Sequence, residues 1–495
     1  GLEIIDVTDI ANPVEIGLTS HIGQSHTVNV DPKRPHIAYV VSSDGVSFDE
    51  EGRANETSGL GLDGFEIVDL SSCMNFPADA TVEEKRGLET DDSLLDGEGC
   101  RPEVFRYRYP VPLLGHTDTS TIFACHEVEL YPDDTLTCAS GQFSGLFDVS
   151  GAFDDNGTPD DFTDDTINGE PLPCAVRASS SAGTTTTAPV IDCVTGENDQ
   201  DLSVFGWLEL GAPSVEGITF EGAAFHQGRS GIDEVPPFGA DEDIDFSHEA
   251  ELTHSGDFLI ASDERGGGVL PPDSSCSPPS NVPQTNGGIS AYAVDRLDTS
   301  TPPTPDGPDD EAFDPYARTS EGDKAIFRVT PRVPTAAFCT AHVFQQVPGQ
   351  NRIFMGWYTQ GTVVVDYVEN DDGTFEFTEA GYFIPENANT WVSHVFKVDD
   401  NGDGTFTYFG ATGDFVLGNA GRNAIDVYSV TLPAPPEPAS SGTVDPGADD
   451  DDDQAAAAGP DADDDDLAAT GGGAAALALG AVALAAAMFG RRRRA

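Results

Sequence analysis

Five histidines share one local setting. Each follows a small residue at the head of a strand-length segment: Ser25-His26, Cys125-His126, Ser247-His248, Ala341-His342 and Ser393-His394. Imidazoles that are neutral near pH 7 ligate Cu, Zn or Fe when a fold gathers them. His126 and His248 are trailed by the pairs Glu127/Glu129 and Glu249/Glu251. Successive strand side chains point to opposite faces, so these carboxylates are not co-ligands by position alone. The competing expectation is structural: a repeated His that hydrogen-bonds the backbone of the neighbouring repeat. No nucleophile elbow, P-loop, HExxH or dinucleotide fingerprint occurs, so no catalytic residue is assigned.

The segments behind the histidines form a recurring unit. It is complete at Ser25–Leu70, where Ser25–Val30, His36–Val41 and Gly64–Leu70 are apolar runs separated by turn chemistry. The unit returns at Cys125–Leu130, Thr135–Ser140 and Gly145–Val149, then at Ser247–Leu252, Asp257–Ser262 and Gly288–Asp295. It returns again at Ala341–Phe344, Arg352–Tyr358 and Gly361–Asp366, and at Ser393–Phe396, Thr405–Gly410 and Ala424–Val427. Tandem β-units of this size imply an all-β fold, a β-propeller of five to seven blades over residues 1–430. The first strand of each blade lines the central channel, which would place the histidines in a ring at one mouth. His226, after Ile218–Phe225, marks a possible degenerate sixth unit. Asp6, Asp69, Asp148, Asp295, Asp366 and Asp426 close strands and are expected to cap turns.

Composition narrows the setting. Asp plus Glu number 87 against 23 Lys plus Arg, a net charge of −64, and the lysines are only Lys33, Lys85, Lys324 and Lys397. Such a surface argues against nucleic-acid binding. It suits high salt, where a Debye length of ~3 Å at 1 M screens self-repulsion. The eight cysteines include no CxxC pair. Disulfides are expected, with Cys73–Cys100, Cys174–Cys193 and Cys125–Cys138 as the local pairs.

Gly1 already lies in a closing segment. The expectation is either that partner strands are missing before it, or that residues 1–17 complete the last blade. The run Asp154–Asp165 is an acidic insertion that offers oxygens for Ca²⁺ or is a solvated loop. Asp399, Asn401, Asp403 and Gly404 match the start of a calcium loop, but Gly410 stands at its twelfth position, so a hairpin turn is expected. Residues 431–466 are Pro/Ala/Asp-rich and read as a disordered, self-repelling stalk. Residues 467–495 carry an apolar stretch, Ala474–Phe489, expected to be a spanning helix, and end on Arg491, Arg492, Arg493 and Arg494 as a cytoplasmic stop.

The segments Gly1–Val7, Gly64–Asp69 and Gly361–Asp366, with Thr8–Gly17 after the first, resemble the LVIVD repeat family of β-propellers. That resemblance implies architecture and no particular activity. Leu467, Ala468, Ala469, Thr470 and Gly471, ahead of the apolar stretch and the arginines, resemble an LAxTG-type sortase sorting signal. It implies cleavage between Thr470 and Gly471, and a sortase and the cell envelope or membrane as partners. A salt-tolerant, high-GC Gram-positive bacterium fits this ending, and an archaeal source is the alternative. A His-lined channel is similar in architecture to the copper propellers of the selenium-binding protein and methanethiol oxidase type, whose flanking motifs are absent here. The leading expectation is a non-enzymatic, extracellular binding, adhesion or scaffold module displayed on the cell surface. The alternative is a secreted metal-dependent redox enzyme built on the His ring, with Cu, Zn, Fe or Ca as the candidate ions.

Overall fold

A computed structural model describes residues 2–19, 25–42, 45–47, 64–74, 76–77, 79–86, 99–109, 121–123, 125–141, 143–159, 161–172, 175–177, 190–192, 198–199, 215–226, 244, 246–264, 287–299, 315–333, 338–416 and 421–437. Residues 438–466 of the expected stalk, the sorting motif with Leu467, Ala468, Ala469, Thr470 and Gly471, and Arg491–Arg494 lie outside these residues, as do Cys174 and Cys193. Residues 431–433, expected in the stalk, instead end the strand Ala424–Pro433. Among the described residues no helix is long and apolar enough to cross a membrane.

Alternating β-branched and aromatic residues build five consecutive antiparallel sheets, each with its strands in sequence order. The first comprises Ser25–Val30, Ile37–Ser42, Gly64–Asp69 and Glu103–Arg108. The second comprises Glu127–Leu130, Thr135–Ala139, Phe143–Asp148 and Thr219–Phe225. The third comprises Ser247–Leu252, Phe258–Asp263, Ile289–Ala293 and Ile326–Phe327. The fourth comprises Phe344–Gln346, Arg352–Gly356, Thr362–Glu369 and Phe375–Phe383. The fifth has three strands, Thr390–Asp400, Thr405–Asp414 and Ala424–Pro433. The repeating units expected from the sequence are these sheets. Thr219–Phe225 corrects one detail. It pairs with Phe143–Asp148 as the outer strand of the second sheet, so His226 does not head a sixth unit.

The core lies between successive sheets. Tyr39, Phe65, Tyr107 and Phe147 join the first sheet to the second. Ala139, Leu146, Leu259 and Tyr292 join the second to the third. Ile260, Ile289, Ile353 and Trp357 join the third to the fourth. Phe354, Val364, Val395 and Tyr408 join the fourth to the fifth. Period-two alternation makes this possible, since each strand presents one set of side chains to each neighbour. In Ile37–Ser42, Tyr39 faces the second sheet, while Val40 packs with Val68, Val104 and Leu2 on the other side.

Inner strands of successive sheets are tied by side chains. Thr27 Oγ1 donates to Glu127 (2.9 Å), Leu252 N to Tyr131 Oη (2.6 Å), Gln346 Nε2 to Glu251 (2.8 Å) and Val395 N to Gln345 Oε1 (2.7 Å). Phe344 N donates to Glu249. Arg34 is buried between the first two sheets. It binds Asp134 (2.7 Å), Asp31 (3.2 Å) and Asp165 (2.6 Å), and covers the Phe153 ring.

Leu2–Asp6 pairs with Val14–Thr19 and, among the described strands, not with Ala424–Pro433. The N-terminal segment therefore does not complete the fifth sheet. It folds back as a hairpin whose Ile4, Val14 and Ile16 pack on the Cys73–Cys100 disulfide. Cys125 and Cys138 are also bonded, and Cys339 is disulfide-bonded as well. The expected turn roles hold at three of the strand-closing aspartates. Asp6, Asp69 and Asp148 each accept the backbone N–H two residues on, from Thr8, Ser71 and Ser150. Asp366 instead pairs with Arg352, and Asp426 with Arg422.

Candidate metal centre

Four of the five histidines meet. Ring centroids are 4.3 Å apart for His26–His126, 4.3 Å for His126–His248 and 4.0 Å for His248–His342. The row runs across the heads of four successive inner strands, so it spans four sheets. Local irregularity aims these rings. His26 and His248 fall where the register of their strands shifts, and such bulges re-aim a side chain. His126 and His342 sit just before their strands, held by N–H bonds to Ala139 O (2.6 Å) and Gly356 O (3.1 Å). Gly356 has to be glycine, because a Cβ there would lie 2.3 Å from Trp391 O.

His394 does not join this row. Its strand shifts register at Trp391 instead, while His394 pairs regularly with Ala411. The indole of Trp391 takes the next place in line, 4.8 Å from the His342 ring. A small residue before a histidine is visible in sequence; the position of a bulge is not.

A carboxylate without a sequence signal completes the site. Glu264, just past the second strand of the third sheet, places Oε1 3.5 Å from His342 Nε2 and Oε2 3.9 Å from His248 Nε2. Tyr358 Oη donates to Glu264 Oε1. Thr340 Oγ1 donates to Asp263 O (2.7 Å), and Tyr358 and Thr390 exchange N–H···O bonds of 2.9 Å. These links fix Glu264 where the third, fourth and fifth sheets meet. Asp263-Glu264 lies outside the recurring pattern, and nothing in its residue types distinguished it among 87 acids.

The electrostatics suit a ligand set. His126, His248 and His342 are 5%, 1% and 4% exposed. Burial, then neighbouring imidazoles, holds His126 and His248 well below the ordinary histidine range. Burial takes His342 down to about 3, and His394 to about 4. His26 stands at the exposed end of the row and is lowered in the same way. All five rings are therefore neutral at pH 7. Burial pushes Glu264 up to about 8, so without a cation beside it the carboxyl keeps its proton.

Hydrogen bonding separates structural nitrogens from available ones. His342 Nδ1 is 2.8 Å from Trp391 O, and a carbonyl only accepts, so Nδ1 carries the proton and Nε2 keeps its lone pair. This outer contact is the kind that orients a metal-ligating imidazole. His126 Nδ1 and both nitrogens of His248 have no hydrogen-bond partner, and neither do the two of His394, which belongs to no group of candidate ligands among the described residues. A buried polar atom left this way costs about 1–3 kcal/mol unless a ligand uses it.

His26, His126 and His248 each offer a ligand atom within 4.8 Å of the others, and so do His248, Glu264 and His342. Among the described residues these two are the groups that could hold a metal ion. The described residues of the acidic insertion do not make a third. Its Asp154, Asp155 and Asp161 accept N–H groups of their own turns, and Asp165 is spent on Arg34. Asp403 likewise caps its own turn at Thr405 N (3.1 Å), with Gly402 and Gly404 at φ 71° and 85°, as expected of a hairpin.

No family model matches the chain, and no curated protein matches it. Solved structures similar to it include the β-propeller domain of Myceliophteria thermophila Cps50 (Swd1), at 10% identity over 81% of this chain and 85% of that one, with a TM-score of 0.27. U3-55K aligns at 7% identity over 84% and 97%, with a TM-score of 0.25. The periplasmic gluconolactonase PpgL of Pseudomonas aeruginosa aligns at 11% over 85% and 96%, with a TM-score of 0.23. At these TM-scores the likenesses carry no argument, and the blade reading rests on the sheets themselves.

Proposed function

We propose that this chain is an extracellular β-propeller binding module whose ligand at the channel is a transition-metal ion, held by the histidine row and Glu264. One observation carries the reading: neutral, buried imidazoles converge on a buried carboxylate, and ring nitrogens of His126 and His248 lack hydrogen-bond partners. A group of three imidazoles, or of two imidazoles with one carboxylate, suits Zn or Cu, and less so Ca, which takes oxygens. When bound, such an ion supplies Lewis acidity or, for Cu, a redox couple. The chain's part is to hold neutral ligands, fix the His342 tautomer through Trp391 O, and give up the Glu264 proton.

The blade count of five to seven, the LVIVD resemblance, the sortase-anchored tail and the high-salt habitat belong to the same proposal. The sequence features above support them. A stalk of acidic residues would hold the module off the envelope. A secreted redox enzyme on the same centre is the second reading, favoured by the exposed end of the row at His26.

The test is metal content by mass spectrometry, on the full chain purified in molar salt without chelator or affinity metal. Bound Cu, Zn or Fe that is reduced in His342→Gln but undiminished in His394→Gln supports the proposal. No transition metal, or equal loss in both variants, contradicts it. Turnover of a redox substrate that disappears with the metal would favour the enzyme reading.

A further inference from the structure

We propose that His248 bridges two metal ions, one shared with His342 and Glu264 and the other with His26 and His126. The inference rests on the metal reading above and adds its nuclearity. The two ligand groups overlap in His248 alone. Its Nε2 faces Glu264 Oε2 at 3.9 Å, which commits that nitrogen to the carboxylate side. Its Nδ1 lies across the ring and has no hydrogen-bond partner either, in a side chain only 1% exposed.

His342 anchors one nitrogen on Trp391 O, whereas His394, outside the row, anchors neither, so His248 is set apart by its membership of both ligand groups together with its unanchored nitrogens. His248 anchors neither, and the ring on its other flank, His126, presents an unpartnered Nδ1. The in-plane lone pairs of one imidazole diverge, so a single ion cannot take both. Binding at both nitrogens removes the ring N–H proton, which passes to water, and the resulting imidazolate offsets one positive charge of the pair. The Glu264 carboxylate offsets another. Divalent ions that favour imidazole, Cu(II) above all, fit this set.

The experiment titrates the metal-free full chain with Cu(II) in chelator-free molar salt, following bound copper, released protons and the electron-spin signal. The bridge predicts two Cu(II) per chain. The signal rises to one spin per chain at the first equivalent and falls toward none at the second, as the spins couple through the ring. The second ion releases one proton more than its other ligands account for. Glu264→Gln and His126→Gln each keep one ion with an uncoupled signal. Two ions with an undiminished signal would overturn the bridge. One ion weakened by both variants would overturn it too, while leaving the metal reading intact. No copper at all would overturn both.

Discussion

At the scale of single residues, the account separates histidines that look alike in sequence. His342 and His394 both follow a small residue and begin similar runs, yet only His342 joins the row. His342→Gln should therefore weaken metal binding by tenfold or more, while His394→Gln should leave it unchanged; competition with a calibrated chelator measures both. Loss of an outer-shell contact typically costs 10–100-fold in metal affinity. Tyr358→Phe, which removes the donor to Glu264, should fall in that range with the fold retained. The histidine set was legible because one residue type recurs at one place in a repeat. Glu264, Tyr358 and Trp391 were not, because they meet through tertiary packing between sheets, which leaves no spacing to read.

At the scale of elements, a few fastenings hold the histidine heads. The Cys125–Cys138 disulfide closes 13 residues immediately beside His126. A loop of that length contributes roughly 3 kcal/mol in the chain-entropy picture. Replacing both cysteines by Ser should lower unfolding stability by about that amount, and chelator competition should show weaker binding at the His126 side. Unchanged stability in denaturant titration would contradict this role.

Arg34 is the other fastening. Its guanidinium is nearly enclosed and satisfies Asp31, Asp134 and Asp165. Arg34→Met leaves buried carboxylates uncompensated and should cost about 3–5 kcal/mol. The strands themselves were readable from alternation and turn residues. Of the two expectations for residues 1–17, completion of the last blade is the one the hairpin at residues 2–19 rules out, and the sequence could not choose between them because an edge strand's partner depends on where the chain returns.

At the scale of the whole molecule, the interior sets a pH dependence. Glu264 titrates near 8 in the folded chain, against 4.5 ordinarily. Burial raises Glu127, Glu129, Glu249 and Glu251 in the same direction, and they face Thr27, Gln346 and the Phe344 N–H as well as one another. Between these values the folded state holds more protons than the unfolded chain, so stability falls as pH rises toward 8. The buried histidines have the opposite sign. Their folded values lie below 6.5, so their contribution is lost as pH drops below 6.5. The metal-free chain should therefore lose Tm from pH 6.5 to 8.5 and show a shallow dependence from 5 to 6.5, where the two sets oppose. Each group inside its window changes stability by about 1.4 kcal/mol per pH unit at most. A Tm that climbs from 6.5 to 8.5 would contradict this assignment of buried protons.

The charge of −64 adds a salt dependence, with repulsion screened only at high ionic strength. The succession of antiparallel sheets was legible as a whole because each sheet repeats the last.

X-ray absorption at the metal edge, on the chain as isolated in molar salt, tests the central claim most directly. The account predicts a first shell of nitrogen and oxygen only, near ~2.0–2.2 Å, with the outer scattering of two to three imidazoles per ion. A shell containing sulfur, a shell without imidazole scattering, or no metal edge would contradict it.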